Sequence, residues 1–248
     1  MTVTLEIGWE LNLLATRPIG EATVTPLLFD PRQVRARTCE NLSQLGVSVR
    51  PDYLPPIFKV DDRVALRAQP DIEARAAILN IVQARVFDMP PQMAMRWLLD
   101  ARVLEELTRD EWQFIATGNG DPQRYSEQLE ALYALAWMLG LVPHLDPSQY
   151  CSDGLPSLMP DLRTSESITT WRMRARPSAR DAVEVAEMLD LYCCLDWVFS
   201  DAQRHGGPTN LPLDPSLVWH RRWALEWGVR SGPGRQLGGG PPWDRVQW

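Results

Sequence analysis

Helix start and stop signals recur along most of the chain and limit its possible folds more than any other feature. Aspartate followed by proline, which suits an N-cap and the first helical position, occurs at 30–31, 121–122 and 214–215. Thr108 and Glu111 form a capping-box pattern. The glycines that stop predicted helices are Gly46, Gly118 and Gly140. These signals predict a mainly α-helical protein.

The apolar residues between these signals recur at helical spacing. The segment 129–139 is apolar on all sides in its second half, which predicts a central position in the core. Prolines interrupt the stretch 141–177, and within it the residues from Trp171 to Arg176 alternate as in a strand. The predicted helices cover about residues 31–45, 70–87, 93–107, 108–118, 121–140, 178–205 and 214–229.

The two ends of the chain differ from this helical body. Residues 3–9 alternate apolar and polar side chains with a period of two, and 22–29 is a second run able to pair with them, so residues 1–30 are predicted to form a β arm or hairpin. Residues 231–248 are a tail rich in glycine and proline, whose aromatic end is expected to dock on the body. Because no linker divides the remainder, 31–230 is predicted to be a single multi-helix domain.

Composition excludes several classes of protein. A net charge of −7 over 248 residues disfavours a general nucleic-acid binder. The longest strongly apolar stretch, 132–142, is too short to cross a bilayer, and no signal-peptide pattern opens the chain. Lys59 is the sole lysine among the 25 basic residues, which is typical of a GC-rich bacterial genome. A cytoplasmic bacterial protein is therefore expected.

Neither the cysteines nor the acidic residues form a recognisable metal site. The four cysteines lack paired CxxC spacing, and with the three histidines they match no zinc signature. Glu184, Glu187 and Asp190 follow one another at intervals of three, so they share one helix strip that either binds a cation or, more commonly, faces solvent or arginine partners. The sequence predicts no metal and no cofactor.

Short sequence matches in a fixed order extend over about residues 34–247. They include Arg37-Thr38, Leu54-Pro55-Pro56-Ile57, Glu130-Ala131-Leu132, Ala136-Trp137-Met138-Leu139-Gly140, Cys151, Arg176-Pro177, Trp197, Arg221, Trp227 and Trp243-Asp244. On these residues the chain resembles an uncharacterised bacterial family, domain of unknown function 4272. The resemblance implies a largely helical fold and no established activity.

Two positions depart from the family's pattern and suggest a contact. Similar proteins have histidine before the residue matching Trp197 and glutamate before the one matching Arg221, whereas this chain has Asp196 and His220. An exchanged acid and histidine would keep the chemistry of a hydrogen-bonded pair, so we expect Asp196 and His220 to touch, as a structural pair or as an acid–base dyad. Glu130, in an apolar segment, needs an arginine if buried, and the resemblance offers Arg67 or Arg221.

Tryptophan and arginine cluster at two places. Trp219, Trp223 and Trp227 share one helix face, which is either part of the core or an exposed strip beside Arg221 and Arg222. The second cluster is either a solvated edge strand or a surface for an acidic or phosphate-bearing partner. It consists of Trp171, Arg172, Arg174 and Arg176.

The function expected from these features is binding of another protein without catalysis, as an assembly partner or a toxin-neutralising factor. The expected contacts are the C-terminal Trp and Arg surface and the β arm, whose edge is also able to pair with a second copy. The alternative is an enzyme of unassigned reaction with a pocket near Glu130, Asp196 and His220. Nucleic-acid binding through Arg172, Arg174 and Arg176 is the least favoured class.

Overall fold

Helices account for most of the structure, a computed structural model that describes residues 27–47, 49–205, 212–233 and 242–246. Three short strands accompany them: β1 (Leu27–Leu28), β2 (Asp62–Leu66) and β3 (Val229–Pro233). The helices are α1 (Pro31–Gln44), α2 (Gln69–Val86), α3 (Pro91–Ala101), α4 (Arg109–Thr117), α5 (Pro122–Ser126), α6 (Leu129–Met138), α7 (Leu155–Leu158), α8 (Ile168–Ala175), α9 (Ala182–His205) and α10 (Pro215–Gly228). The predicted fold class, a mainly α single domain, is confirmed.

The aspartate and threonine caps act as predicted. Asp30, Asp121 and Asp214 each accept a hydrogen bond from the backbone N–H two residues on, at the starts of α1, α5 and α10. Thr108 and Glu111 make both bonds of a capping box at the start of α4. Each cap satisfies an N–H group that has no partner inside its own helix, which is why these boundaries were readable from sequence.

Three predicted helices have different limits. The predicted helix over 121–140 is divided into α5 and α6, and α3 ends at Ala101 because Arg102 adopts left-handed backbone angles. α9 begins at Ala182, where the Asp181 carboxylate accepts the Val183 N–H, rather than at Ser178. Residues 178–180 instead run past the end of α6, and the N–H groups of Ser178 and Arg180 donate to its last carbonyls.

The segment around Trp171 is helical, so the predicted strand is wrong. It forms α8, which Ser167 caps by accepting the Thr170 N–H. The Trp171 side chain is fully buried and its indole N–H donates to the Leu158 carbonyl. Burial of one large side chain on one helix face outweighs the short apolar–polar alternation of the sequence.

α6 lies at the centre of the core, as its composition predicted. It packs against α2 and α10, and α10 in turn packs against α9. Its C-terminal half, from Ala134 to Met138, is buried. α2 has apolar neighbours on its other side as well, where α3 and α4 cover a second buried cluster that includes Ile78, Leu98 and Ile115. The helical domain is therefore built around two apolar layers that share α2.

An antiparallel sheet in the order β1–β2–β3 closes one side of the helices. Leu27 pairs with Val64, and Leu66 pairs with Val229 directly after α10. Of the predicted β arm, only β1 lies among the described residues, and its partner β2 was not predicted. The predicted strand at 3–9 lies outside the described residues. Among the helices that the structure describes, none has the length and apolarity needed to cross a membrane.

Candidate functional site

The predicted contact between Asp196 and His220 is not formed. His220 Nε2 lies 3.6 Å from Glu127 Oε2, while Asp196 Oδ2 lies 3.6 Å from Arg222 Nε. His220 and Arg222 are two residues apart on α10, so their side chains leave the helix on nearly opposite sides. Of these two side chains, only that of Arg222 reaches Asp196 on α9. The acid–base dyad is therefore not available.

Glu130 is part of a buried ionic cluster with Arg221, one of its two predicted partners. Arg221 Nη2 and Nε donate to Glu130 Oε2 at 2.6 and 2.8 Å, and the Cys151 N–H donates to Oε1 at 2.9 Å. Arg221 also donates to the carbonyls of Asp146 and Gln149. The other predicted candidate, Arg67, donates to the Trp227 carbonyl instead. Both Glu130 oxygens are thus occupied by protein donors.

This ionic cluster holds no activated nucleophile. Burial, with the Glu130 carboxylate as the second cause, raises the pKa of the Cys151 thiol to about 12. Burial also raises the pKa of Tyr192, whose hydroxyl accepts a hydrogen bond from Arg221. Nucleophilic attack needs the thiolate or phenolate, and the raised pKa values disfavour both of these forms. The cluster joins α6, α9 and α10 to the segment around Cys151 and is structural.

Of the α10 tryptophans, Trp227 is buried and Trp223 is half-buried, so most of this helix face belongs to the core. Trp227, Arg221 and Arg222 are buried, so the surface predicted from them is wrong for these three residues. Trp219, in contrast, is exposed to solvent at 37%. The face is covered by Trp243 from the tail, which packs on Trp223 and Trp227 with ring centroids 5.8 and 5.5 Å apart. Trp243 itself is buried against this face.

The arginines of α8 are bound to carboxylates of the chain itself. Arg172 pairs with the buried Glu73. Arg174 pairs with Glu166 at 2.9 Å and donates to the Ser157 and Met159 carbonyls. Because Trp171 is buried, it cannot belong to the exposed Trp and Arg binding surface that was predicted here. These ion pairs instead fix α8 against α2 and the preceding loop.

Each carboxylate of the α9 row has an arginine partner, the more common of the two predicted explanations. Arg180 pairs with Glu184, Arg37 with Glu187, and Arg35 with Asp190. Within the described ranges no group of three or more histidine, cysteine, aspartate or glutamate side chains is arranged to hold a metal ion. The row therefore attaches neighbouring segments to α9.

An open cleft of about 480 Å³ lies between α1 and the proline-rich segment 51–60, with Asp190 of α9 also lining it. Arg35 Nη2 donates to the Pro55 carbonyl at 2.6 Å and to Asp190 Oδ1 at 2.8 Å, so it holds the two walls together. The lining residues are Pro31, Arg32, Arg35, Ala36, Cys39, Pro51, Leu54, Pro56, Phe58, Val60 and Asp190. We call this feature the α1 cleft.

Sequence reasoning missed the α1 cleft. It predicted the helix α1, but the contact between α1 and the segment 51–60 depends on Asp190, about 155 positions further along the chain from Arg35. The available signal was the neighbourhood of Arg35 and Arg32 on one face of α1, three residues apart. Two arginines on one helix face are common, so this signal could indicate a cleft only after the position of the segment 51–60 was known.

The helical fold, its buried ion pairs and the α1 cleft belong to a mainly α, single-domain protein. A family model described as Domain of unknown function (DUF4272) matches residues 35–246. The chain therefore belongs to this family. No curated protein and no solved structure matches the chain.

Proposed function

We propose that this protein is a non-catalytic cytoplasmic bacterial factor that binds another protein, as an assembly partner or a toxin-neutralising factor does. The observation that carries the proposal is the α1 cleft, an open surface feature of about 480 Å³ with mostly apolar walls. Exposed apolar surface bordered by polar groups is typical of sites where proteins bind one another. Ala36 and Val60, which line the cleft, are exposed although apolar.

The positions of the residues predicted for the alternative enzyme pocket support binding over catalysis. Glu130, Asp196 and His220 each face a different charged neighbour, and they do not surround one reacting position. An enzyme needs a nucleophile or base within hydrogen-bond reach of its orienting group. Binding in the α1 cleft, in contrast, requires only a partner whose shape and charge complement those of the cleft.

The end of β1 adjoins the α1 cleft, which supports a contact surface on that side of the molecule. Phe29 directly follows β1, and its ring packs edge-on against Phe58 of the cleft wall with centroids 4.9 Å apart. β1 is the end strand in the order of the described sheet. A partner bound in the cleft is therefore close to a strand edge, where backbone pairing adds affinity.

Native mass spectrometry of the tagged protein, recovered gently from its own host, tests this function. Ala36→Trp places a large side chain in the α1 cleft, whereas Gln33→Trp places the same side chain on an exposed position of α1 outside it. We expect one stoichiometric protein partner on the wild type and on Gln33→Trp, and its loss from Ala36→Trp. A partner retained by Ala36→Trp, or a bound small molecule in place of a partner, would contradict the proposal.

A further inference from the structure

The positive groups of the α1 cleft suggest which part of a partner it recognises. Arg32 and Arg35 lie three residues apart on α1 and both line the cleft. Arg35 is fixed by its bonds to the Pro55 carbonyl and Asp190 Oδ1. The Arg32 guanidinium makes no hydrogen bond to any residue within the described part of the chain. The Arg35 guanidinium is thus held in place, and the N–H groups of the Arg32 guanidinium are available to a ligand.

The charge of the cleft is opposite to that of the whole chain. Its lining contains two arginines and one aspartate, giving a formal charge of +1, whereas the protein carries −7. The Asp190 side chain is almost fully buried; its Oδ1 accepts from Arg35, and its Oδ2 has no hydrogen-bond partner among the described residues. Arg32 is exposed, so its guanidinium is the charged group that an arriving anion meets first. Guanidinium groups suit carboxylates because their planar donors match the two oxygens.

The remaining walls are apolar. Leu54 and Phe58 are buried side chains that form part of the lining, with Pro31, Pro51 and Pro56 around them. Such walls gain free energy when they remove apolar surface from water. An occupant that satisfies both parts of the cleft has an apolar side chain directly beside a negative group.

We propose that the α1 cleft binds the C-terminal residue of a partner chain, with its carboxylate at Arg32 and Arg35 and its apolar side chain against Leu54 and Phe58. A terminal residue places a carboxylate and a side chain on the same carbon atom, which is the arrangement that the cleft complements. This inference rests on the proposed function, because it assumes that the partner occupies the cleft.

The test uses N-acetyl-L-phenylalanine, which mimics an apolar C-terminal residue, and N-acetyl-L-phenylalanine amide, which has the same shape without the charge. Both are titrated into ¹⁵N-labelled full-length protein while amide chemical shifts are followed. The proteins compared are the wild type, Arg32→Gln and the matched control Arg37→Gln. Arg37 is also on α1 and is mostly exposed, but it pairs with Glu187 and does not line the cleft.

We expect the acid to shift amides of α1 and of 51–60 with a Kd on the order of millimolar. The amide and the Arg32→Gln variant are each expected to bind about fivefold more weakly than the wild type binds the acid, whereas Arg37→Gln keeps wild-type affinity. Equal binding of acid and amide, or no shift with either, overturns the C-terminal assignment. The proposed function fails separately, if Ala36→Trp retains its protein partner.

Discussion

Arg221 directs two guanidinium nitrogens at a single carboxylate oxygen of Glu130, at 2.6 and 2.8 Å, inside the apolar junction of α6 and α10. The Arg221 side chain is fully buried and that of Glu130 is 12% exposed. Placing charges there has a large desolvation cost, which is offset because the remaining donors of Arg221 also find oxygens. The pair fixes how these two helices and the 146–151 segment meet.

Removing one charge from this pair is expected to destabilise the protein strongly. Glu130→Gln leaves Arg221 as a buried cation without its counter-ion, and we expect the free energy of unfolding to fall by about 3 kcal/mol. The matched control is Glu184→Gln, because Glu184 also pairs with an arginine but is 47% exposed. That change is expected to cost less than about 1 kcal/mol. Urea denaturation followed by circular dichroism measures both, and equal costs would contradict a structural role for Glu130.

Gly140, directly after α6, is expected to resist substitution by alanine. Its φ is +69°, and a Cβ atom there would lie 2.7 Å from the Ser178 carbonyl oxygen, which is fixed backbone. Gly46 has a similar φ of +79° but open space around a Cβ atom. Gly46→Ala therefore reports backbone strain alone, about 1 kcal/mol.

We expect Gly140→Ala to lower the free energy of unfolding by at least about 2 kcal/mol, since steric overlap adds to the strain. The same denaturation experiment measures the two variants side by side. If both glycines cost the same, the close approach of 178–180 to the end of α6 does not constrain Gly140.

Local signals explain the parts of this fold that sequence predicted well. The caps at Asp30, Thr108 and Asp214 involve hydrogen bonds within three residues, so their whole chemistry is contained in a short stretch of sequence. The central place of α6 follows from composition alone. Glu130 and Arg221 were paired because a buried acid needs a cation, and the family resemblance limited the choice to two arginines.

The incorrect predictions concern features that depend on the direction in which side chains leave a helix and on which segments pack together. His220 and Arg222 are close in sequence, yet rotation along α10 sends one to Glu127 and the other to Asp196. Trp171 was predicted to lie on a strand because a stretch of six residues is too short to distinguish strand alternation from a helix that buries one large side chain. The α1 cleft needs segments far apart in the chain, and no local pattern encodes their contact.

The docked tail is expected to contribute to stability through Trp243. This side chain is buried, contacts the rings of Trp223 and Trp227, and its carbonyl accepts the Trp223 indole N–H at 2.9 Å. Trp243→Ala is expected to lower the free energy of unfolding by about 3 kcal/mol and to reduce near-ultraviolet circular dichroism. The control Trp112→Ala removes a tryptophan that is 48% exposed.

The Trp112 control is expected to cost less than about 1 kcal/mol, because little packed surface is lost. Thermal unfolding of both variants at the same pH gives the comparison. A Trp243→Ala variant as stable as the wild type would mean that the tail does not hold the tryptophan face of α10 in solution.

Glu226 on α10 gives the protein an expected dependence of stability on pH. Burial is the largest cause that raises the pKa of this carboxyl to about 7, and Asp196 acts in the same direction, while Arg222 lowers it. A carboxyl whose pKa is higher in the folded state than in the unfolded chain favours folding while protonated. Its contribution is therefore lost as the pH rises from about 4.5 through 7.

Glu226→Gln removes this titration while keeping the shape of the side chain. Relative to the wild type, the variant is expected to gain about 1 to 3 kcal/mol in free energy of unfolding between pH 5 and pH 8. The quantity to compare is the difference in free energy of unfolding between the two proteins. Burial lowers the pKa of His220, so both proteins also gain stability as the pH rises over part of this range, and the difference removes that shared effect. Urea denaturation at a series of pH values measures it. A difference that stays constant with pH would show that Glu226 is already ionised in the folded protein at pH 5.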